Sequence, residues 1–359
     1  MVKKKKILTV RNFLTILTLI LVGIVVYKAR GEVVLALNYL KEANIWFIAL
    51  LMPEQLFMYY CAGQMFFSYM ATRSGIKKVP KWTLARIAFE LNFVNHAIPS
   101  GGVSGLGYIT WRLSKFGATA GQTSFMYILR YFITILSNQT QTLLAILALF
   151  LMNVVPKETF WVVWLSLAVS FGIMFGAGLI IFLASSKKRV DFVSRIVEKV
   201  IPKVAKWLKR KENQEKIVGI QRYFNDLYES LRAVRKKPKI ILKPVIWGVI
   251  YSFLEIGTYW LVAISMGHPE VLPQIMVAEA IGSTIGAVLP TPGGAGGYEV
   301  AMIAVMVALG VPESLAAAVV IPARVIVLFG TIISGYGFYQ HAISTANKKE
   351  LAQMSEAEG

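Results

Sequence analysis

The sequence is poor in the groups that most soluble chemistry relies on. It has one cysteine, Cys61, so no disulfide can form within the chain. Its three histidines, His96, His268 and His341, are far apart, and no Cys/His spacing suggests a metal. No P-loop, HExxH or GxSxG with partner residues is present, which argues against an ATP-driven pump and against a hydrolase of those classes. No cofactor and no metal is therefore expected. Acidic residues are also scarce: 19 Asp and Glu stand against 38 Lys and Arg, a formal charge of +19. The placement of that excess argues against nucleic acid. Residues 187–243 alone hold 18 Lys and Arg against 6 Asp and Glu, and the remainder sits in short loops between apolar runs. Basic loops beside apolar runs are what the positive-inside rule predicts for a membrane protein.

Apolar sequence, by contrast, is abundant. Hydrophobic residues make up 56% of the 359, and the mean hydropathy is +0.59. Several runs exceed the roughly 18 apolar residues needed to cross a bilayer. The pattern predicts an all-α polytopic membrane protein with about six transmembrane helices, near 12–29, 45–70, 120–151, 160–184, 240–266 and 314–341. The basic start "MVKKKKILTV" leads into the first span without a small-residue cleavage site, so that span reads as retained. Residues 30–44 read as a loop of balanced charge.

Two further apolar stretches are interrupted, by "HAIPSGGVSGLG" and by "LPTPGGAGG". If each is a re-entrant helical hairpin, every basic loop falls on one face, the cytoplasmic one, together with both termini. The two stretches also match each other. Gly102 precedes Gly117 by 15 residues and Gly117 precedes Arg130 by 13; Gly294 precedes Gly310 by 16 and Gly310 precedes Arg324 by 14. Glu90 lies nine residues before Pro99, and Glu279 lies eleven before Pro290. Residues 1–152 and 153–345 therefore read as inverted repeats, each span, span, hairpin, span, with 346–359 as a cytoplasmic tail. Inverted repeats with broken helices are the architecture of alternating-access transporters.

Glu54, Glu90, Arg130, Glu255, Glu279, Glu299 and Arg324 fall within apolar stretches. Each would cost at least about 2.5 kcal/mol facing lipid alone, so each is expected to face the protein interior with a partner. For Glu54, Glu90 and Glu255 a structural pair is at least as good a reading as a functional one. Arg130, Arg324 and Glu299 sit on or near the repeat features and read as functional. Broken half-helices present N-terminal N–H groups, and arginine adds a bidentate contact, so the interior suits an anion such as a phospholipid phosphate. Between the repeats, the insertion 187–239 shows apolar residues at alternating spacings of three and four, as in amphipathic helices. Its two helices would form an antiparallel hairpin, lie on anionic lipid, or dock a soluble synthase or glycosyltransferase, or the segment would serve as a solvated basic linker.

At "IPSGGVSGLG" and "LPTPGGAGGYE", with Arg324 in the last span, the chain resembles the transmembrane domain of lysylphosphatidylglycerol synthases, the multiple peptide resistance factors. The resemblance covers almost the whole chain. It implies a flippase of the bacterial plasma membrane that moves aminoacylated phosphatidylglycerol between leaflets. With the chain ending at Gly359, it implies a stand-alone form without the synthase domain. It points at Pro290, Pro292, Gly293, Gly294, Gly296, Glu299 and Arg324 as substrate-binding, and repeat symmetry adds Pro99, Gly101, Gly102 and Arg130. Glu279, the carboxylate within the second interrupted stretch, joins them. The substrate class is an anionic or aminoacylated phospholipid or a lipid-linked sugar. A phosphatidylglycerol lysyltransferase-type enzyme, or its membrane partner subunit, is the alternative. A homodimer is compatible with either.

Overall fold

In a bilayer core every backbone N–H and C=O must be satisfied within the chain, which leaves the helix as the form for these apolar runs. The computed structural model agrees: among the described residues, every regular element is a helix. The structure describes residues 20, 23, 27, 30–41, 43–71, 79–98, 103–152, 158, 160–184, 186–192, 195–196, 225–226, 228–289 and 291–346. The chain is an all-α polytopic membrane protein. Most of the expected first span, most of the 187–239 insertion and nearly all of the tail lie outside the described residues. Residues 30–40, read from sequence as a loop, are helical instead. Local charge balance gave no sign of this, and "EVVLALNYL" is in fact good helix-forming sequence.

Nine of the α-helices among the described residues carry the fold. The first four are α1 (Ile45–Met70), α2 (Lys81–Ala97), α3 (Val103–Ser114) and α4 (Ala120–Met152). Then come α5 (Phe160–Ala184) and α6 (Leu242–Ser265). The last three are α7 (Leu272–Val288), α8 (Gly297–Ala308) and α9 (Glu313–Thr345). Among the described residues, four stretches are long and apolar enough to cross a membrane: Ile45–Met70, Ala120–Met152, Pro238–Ser265 and Glu313–Thr345. The 25 residues of α5 include no charged side chain, and Trp161, Trp164, Phe171 and Phe175 are exposed along it, as a lipid-facing surface requires.

Helix lengths repeat. α1 to α4 have 26, 17, 12 and 33 residues. α6 to α9 have 24, 17, 12 and 33. At about 1.5 Å per residue, a 12-residue helix reaches only ~18 Å, short of the ~30 Å hydrocarbon core. α3 and α8 instead pack along α2 and α7, forming two hairpins. Both hairpins end in a glycine with positive φ, Gly117 at 79° and Gly310 at 91°.

Packing crosses between the halves. α1 packs against α6; α2 packs against α9, the last helix of the other half, and α7 packs against α4. One apolar core, with Phe66, Met70, Ile87, Leu113 and Met126, binds the first four helices. A second, with Val262, Ile275, Met302, Met306 and Val319, binds α6 to α9. Phe93, Tyr108, Trp111 and Tyr339 join α2 and α3 to α9. The interiors of the two hairpins therefore face a shared centre.

Candidate functional site

The break between α7 and α8 is built from its glycines. Leu289 leaves α7 in an extended conformation, and Pro292–Gly294 form a single 3-10 turn. Gly293, Gly294 and Gly296 have φ of 59°, 74° and 90°, a region that other residues enter only with strain. Gly294 also passes so near Gly286 that an added Cβ would come within 2.6 Å of its Cα. The second hairpin can close only with hydrogen at that position.

Glu299 and Arg324 hold this break in place. Arg324 Nε donates to Glu299 Oε1 at 2.7 Å, and Arg324 Nη2 donates to the Gly293 carbonyl at 2.7 Å. Glu299 Oε2 accepts the Gly296 N–H at 2.7 Å. The guanidinium also lies 4.2 Å from the centre of the Tyr298 ring. The turn, the start of α8 and the middle of α9 are thus tied by one charged group of each sign. The start of α8 was expected to offer its N–H groups to an anion. The Gly296 N–H is instead occupied by the chain's own carboxylate, because a glutamate three residues into a helix folds back on its N-terminus.

His96 comes to this knot from the other half. Its ring Cδ2 would be 3.3 Å from a Cβ placed on Gly293. Its Nδ1 lies 2.8 Å from the Asn92 carbonyl, so Nδ1 carries the hydrogen and Nε2 is left as an acceptor. Beside it is a cavity of about 50 Å³ lined by Met58, Tyr59, His96, Tyr251, Glu255, Thr258, Tyr259, Tyr298, Arg324 and Val327. It has room for a few water molecules. Its walls come from α1, α2, α6, α8 and α9, so it lies where the two halves meet.

The other buried charges divide into two kinds. Glu90 is structural: Arg112 binds it with two hydrogen bonds, 2.7 and 3.1 Å, and Tyr108 adds a third at 2.9 Å. That pair fastens α2 to α3. Glu54 accepts from Thr258 at 3.0 Å, Tyr251 donates to Glu255 at 3.3 Å, and Asn138 donates to Glu279 at 3.4 Å. Arg130 differs from all of them. It lies 5.5 Å from the Phe66 ring centre and 5.8 Å from that of Tyr251, and its buried Nη1 has no hydrogen-bond partner.

The structure therefore gathers Gly293, Gly294, Gly296, Glu299 and Arg324 at one point and places Glu279 and Arg130 nearby in the same interior. Pro292 begins the turn. Pro99, Gly101, Gly102 and Pro290 lie outside the described residues. Reading the sequence alone missed Tyr298, His96 and Tyr59, since aromatic residues in apolar runs give no signal of their own. Asn138 did leave a trace: "SNQTQT" is a polar run within a 33-residue apolar helix.

Comparison with known proteins settles the family. The profile described as lysylphosphatidylglycerol synthase TM region matches residues 12–335. The chain belongs to that family. No curated protein and no solved structure matches it significantly. As a lysylphosphatidylglycerol synthase transmembrane region, the chain is a membrane protein working in the context of that synthase's lipid chemistry. The match covers both hairpins, both buried arginines and the central cavity.

Proposed function

We propose that the chain moves an anionic or aminoacylated phospholipid, of the lysylphosphatidylglycerol kind, between the leaflets of a bacterial plasma membrane. The observation that carries this reading is Arg130. A guanidinium that is buried among membrane helices and has an unpartnered Nη1 costs free energy unless something anionic completes it. A phosphodiester supplies the two oxygens a guanidinium prefers. Arg324 is the second station, reached when the headgroup phosphate replaces Glu299 on its fork. The cavity beside Arg324, whose Tyr251 wall lies against Arg130, is the closed form of the headgroup path, and the acyl chains stay in lipid outside the bundle.

The matched helix lengths and crossed packing support two inverted repeats, 1–152 and 153–345, with the first hairpin entering from the cytoplasm and the second from outside. In this arrangement both termini are cytoplasmic. The insertion 187–239, with its run of Lys and Arg, lies on the anionic cytoplasmic leaflet, where it can also dock a soluble synthase.

The test is transbilayer movement of a short-chain fluorescent phosphatidylglycerol in vesicles holding the purified chain. Wild type should move it, while Arg130→Met and Arg324→Ala should slow it at least tenfold. Protein-free rates in wild-type vesicles would refute the reading. Synthesis of aminoacylated lipid from aminoacyl-tRNA and phosphatidylglycerol by the purified chain would replace it with an enzymatic one.

A further inference from the structure

The buried charges of the centre do not balance among the described residues. Arg112 is committed to Glu90, and Arg324 to Glu299. Glu54, Glu255 and Glu279 remain, and within that interior only Arg130 is left to serve them. Its guanidinium and that of Arg324 both act on Glu255 through space. Two carboxylates are thus in excess in a medium that does not tolerate uncompensated charge.

Hydrogen bonding shows where the missing positive charge belongs. Glu279 is 1% exposed and Asn138 7%. The Asn138 Nδ2 donates to Glu279 Oε2 at 3.4 Å, yet Asn138 Oδ1 and Glu279 Oε1 are both buried without any partner. Neither acceptor has a donor in hydrogen-bond geometry, although the Ser283 and Tyr298 hydroxyls lie beside Glu279 and Asn138 also interacts with Glu255. A single proton on Glu279 Oε1 converts one of them into the donor the other needs, and rotation of the carboxyl brings the two together. Glu299 cannot play this part, because both of its oxygens are already engaged.

We propose that Glu279 takes up and releases one proton in each transport cycle, with Asn138 as the acceptor that steadies the protonated form. The proposal rests on the transport reading above for the word cycle, but not for the proton itself. The step is a plain transfer: water on one side gives the proton to Oε1, and water on the other side receives it. The charged and titratable groups that face Glu279 are Glu255, Tyr251 and Tyr259 on α6, Tyr298 on α8 and Arg324 on α9. α4 contributes Asn138, α5 brings no charged side chain, and Ser283 lies beside Glu279 on its own helix. Protonation of Glu279 lowers the repulsion with Glu255 and frees Arg130 to exchange Glu255 for a lipid phosphate. Proton loading and headgroup loading thus favour each other.

The direct test is an infrared pH titration of the full chain in phosphatidylglycerol vesicles, following the carbonyl stretch of carboxylic acids. Wild type should show a titrating acid band, and Glu279→Gln should lose the intensity of one carboxyl per chain. Glu279→Asp should keep a titrating band at a shifted position, which separates lost chemistry from lost folding. No titrating band, or a band unchanged in Glu279→Gln, overturns the proposal; so does removal of the band by sodium at constant pH, which would make this a sodium site. In the same vesicles an imposed pH gradient should change the rate of wild-type lipid movement and leave Glu279→Gln unresponsive. A titrating Glu279 in a chain that moves no lipid would defeat the transport reading and leave proton uptake standing.

Discussion

The two hairpins have the same helix lengths, 17 and 12 residues each, but are held in different ways. In the second, the third residue of the short helix is Glu299, which ties its own N-terminus to Arg324. In the first, the third residue of the short helix is Gly105, and Asn95 with Tyr127 fills the space; the Tyr127 hydroxyl donates to Asn95 Oδ1 at 3.0 Å. A Cβ on Gly105 would sit 1.8 Å from that amide oxygen. The arginine of the second half is therefore hydrogen-bonded to a carboxylate, whereas Arg130 in the first half acts on Glu255 only through space and its Nη1 has no hydrogen-bond partner. The second hairpin has a locked break, and the first half has a buried guanidinium with one nitrogen open to a further partner.

This contrast can be broken at several points. The largest effect is expected from Arg324→Ala, which strands Glu299 and the Gly293 carbonyl in the interior; equilibrium unfolding in mixed micelles should show a loss of about 3–5 kcal/mol. Gly294→Ala comes next, since its Cβ meets the Gly286 backbone and its φ is positive; a loss of about 1–3 kcal/mol is expected in the same assay. Gly105→Ala should cost less, near the lower end at ~1 kcal/mol, because the atom it meets is the end of the Asn95 side chain, which can turn away. Arg130→Met should be milder for stability than Arg324→Ala, because no hydrogen bond is lost at its Nη1, only the through-space attraction to Glu255, and most of the volume is kept. The same substitution should nevertheless slow lipid movement at least tenfold. If Arg130→Met proves as destabilising as Arg324→Ala, the asymmetry between the halves is wrong.

Much of this was legible in the sequence. The spacing of Gly102, Gly117 and Arg130 against Gly294, Gly310 and Arg324 anticipated two hairpins, each followed by a long helix that carries one arginine. The motif residues Gly293, Gly294, Gly296, Glu299 and Arg324 do meet, because local chemistry brings them together: glycine makes the turn, and a glutamate three residues into the helix caps it. What could not be read was distance across the bundle. Glu90 and Glu279 occupy matching places before the two breaks, yet one is clamped by Arg112 and the other is left half-satisfied beside Asn138. His96 and Tyr298 look like ordinary apolar-run residues until packing sets them against the same turn. Repeat symmetry led Arg130 and Arg324 to be treated alike, and the single difference between Glu299 and Gly105 is what separates them.

The central claim is that a headgroup enters the space between the two hairpins. It is tested most directly by a phosphatidylglycerol carrying a photoreactive group on its headgroup, activated in vesicles with the intact chain and followed by mass spectrometry of the labelled peptides. Labels on Tyr59, Tyr251, Thr258 or Tyr298, reduced in Arg130→Met, are predicted. Labelling confined to outer-facing residues such as Trp161 and Phe175, and indifferent to Arg130, would contradict the account.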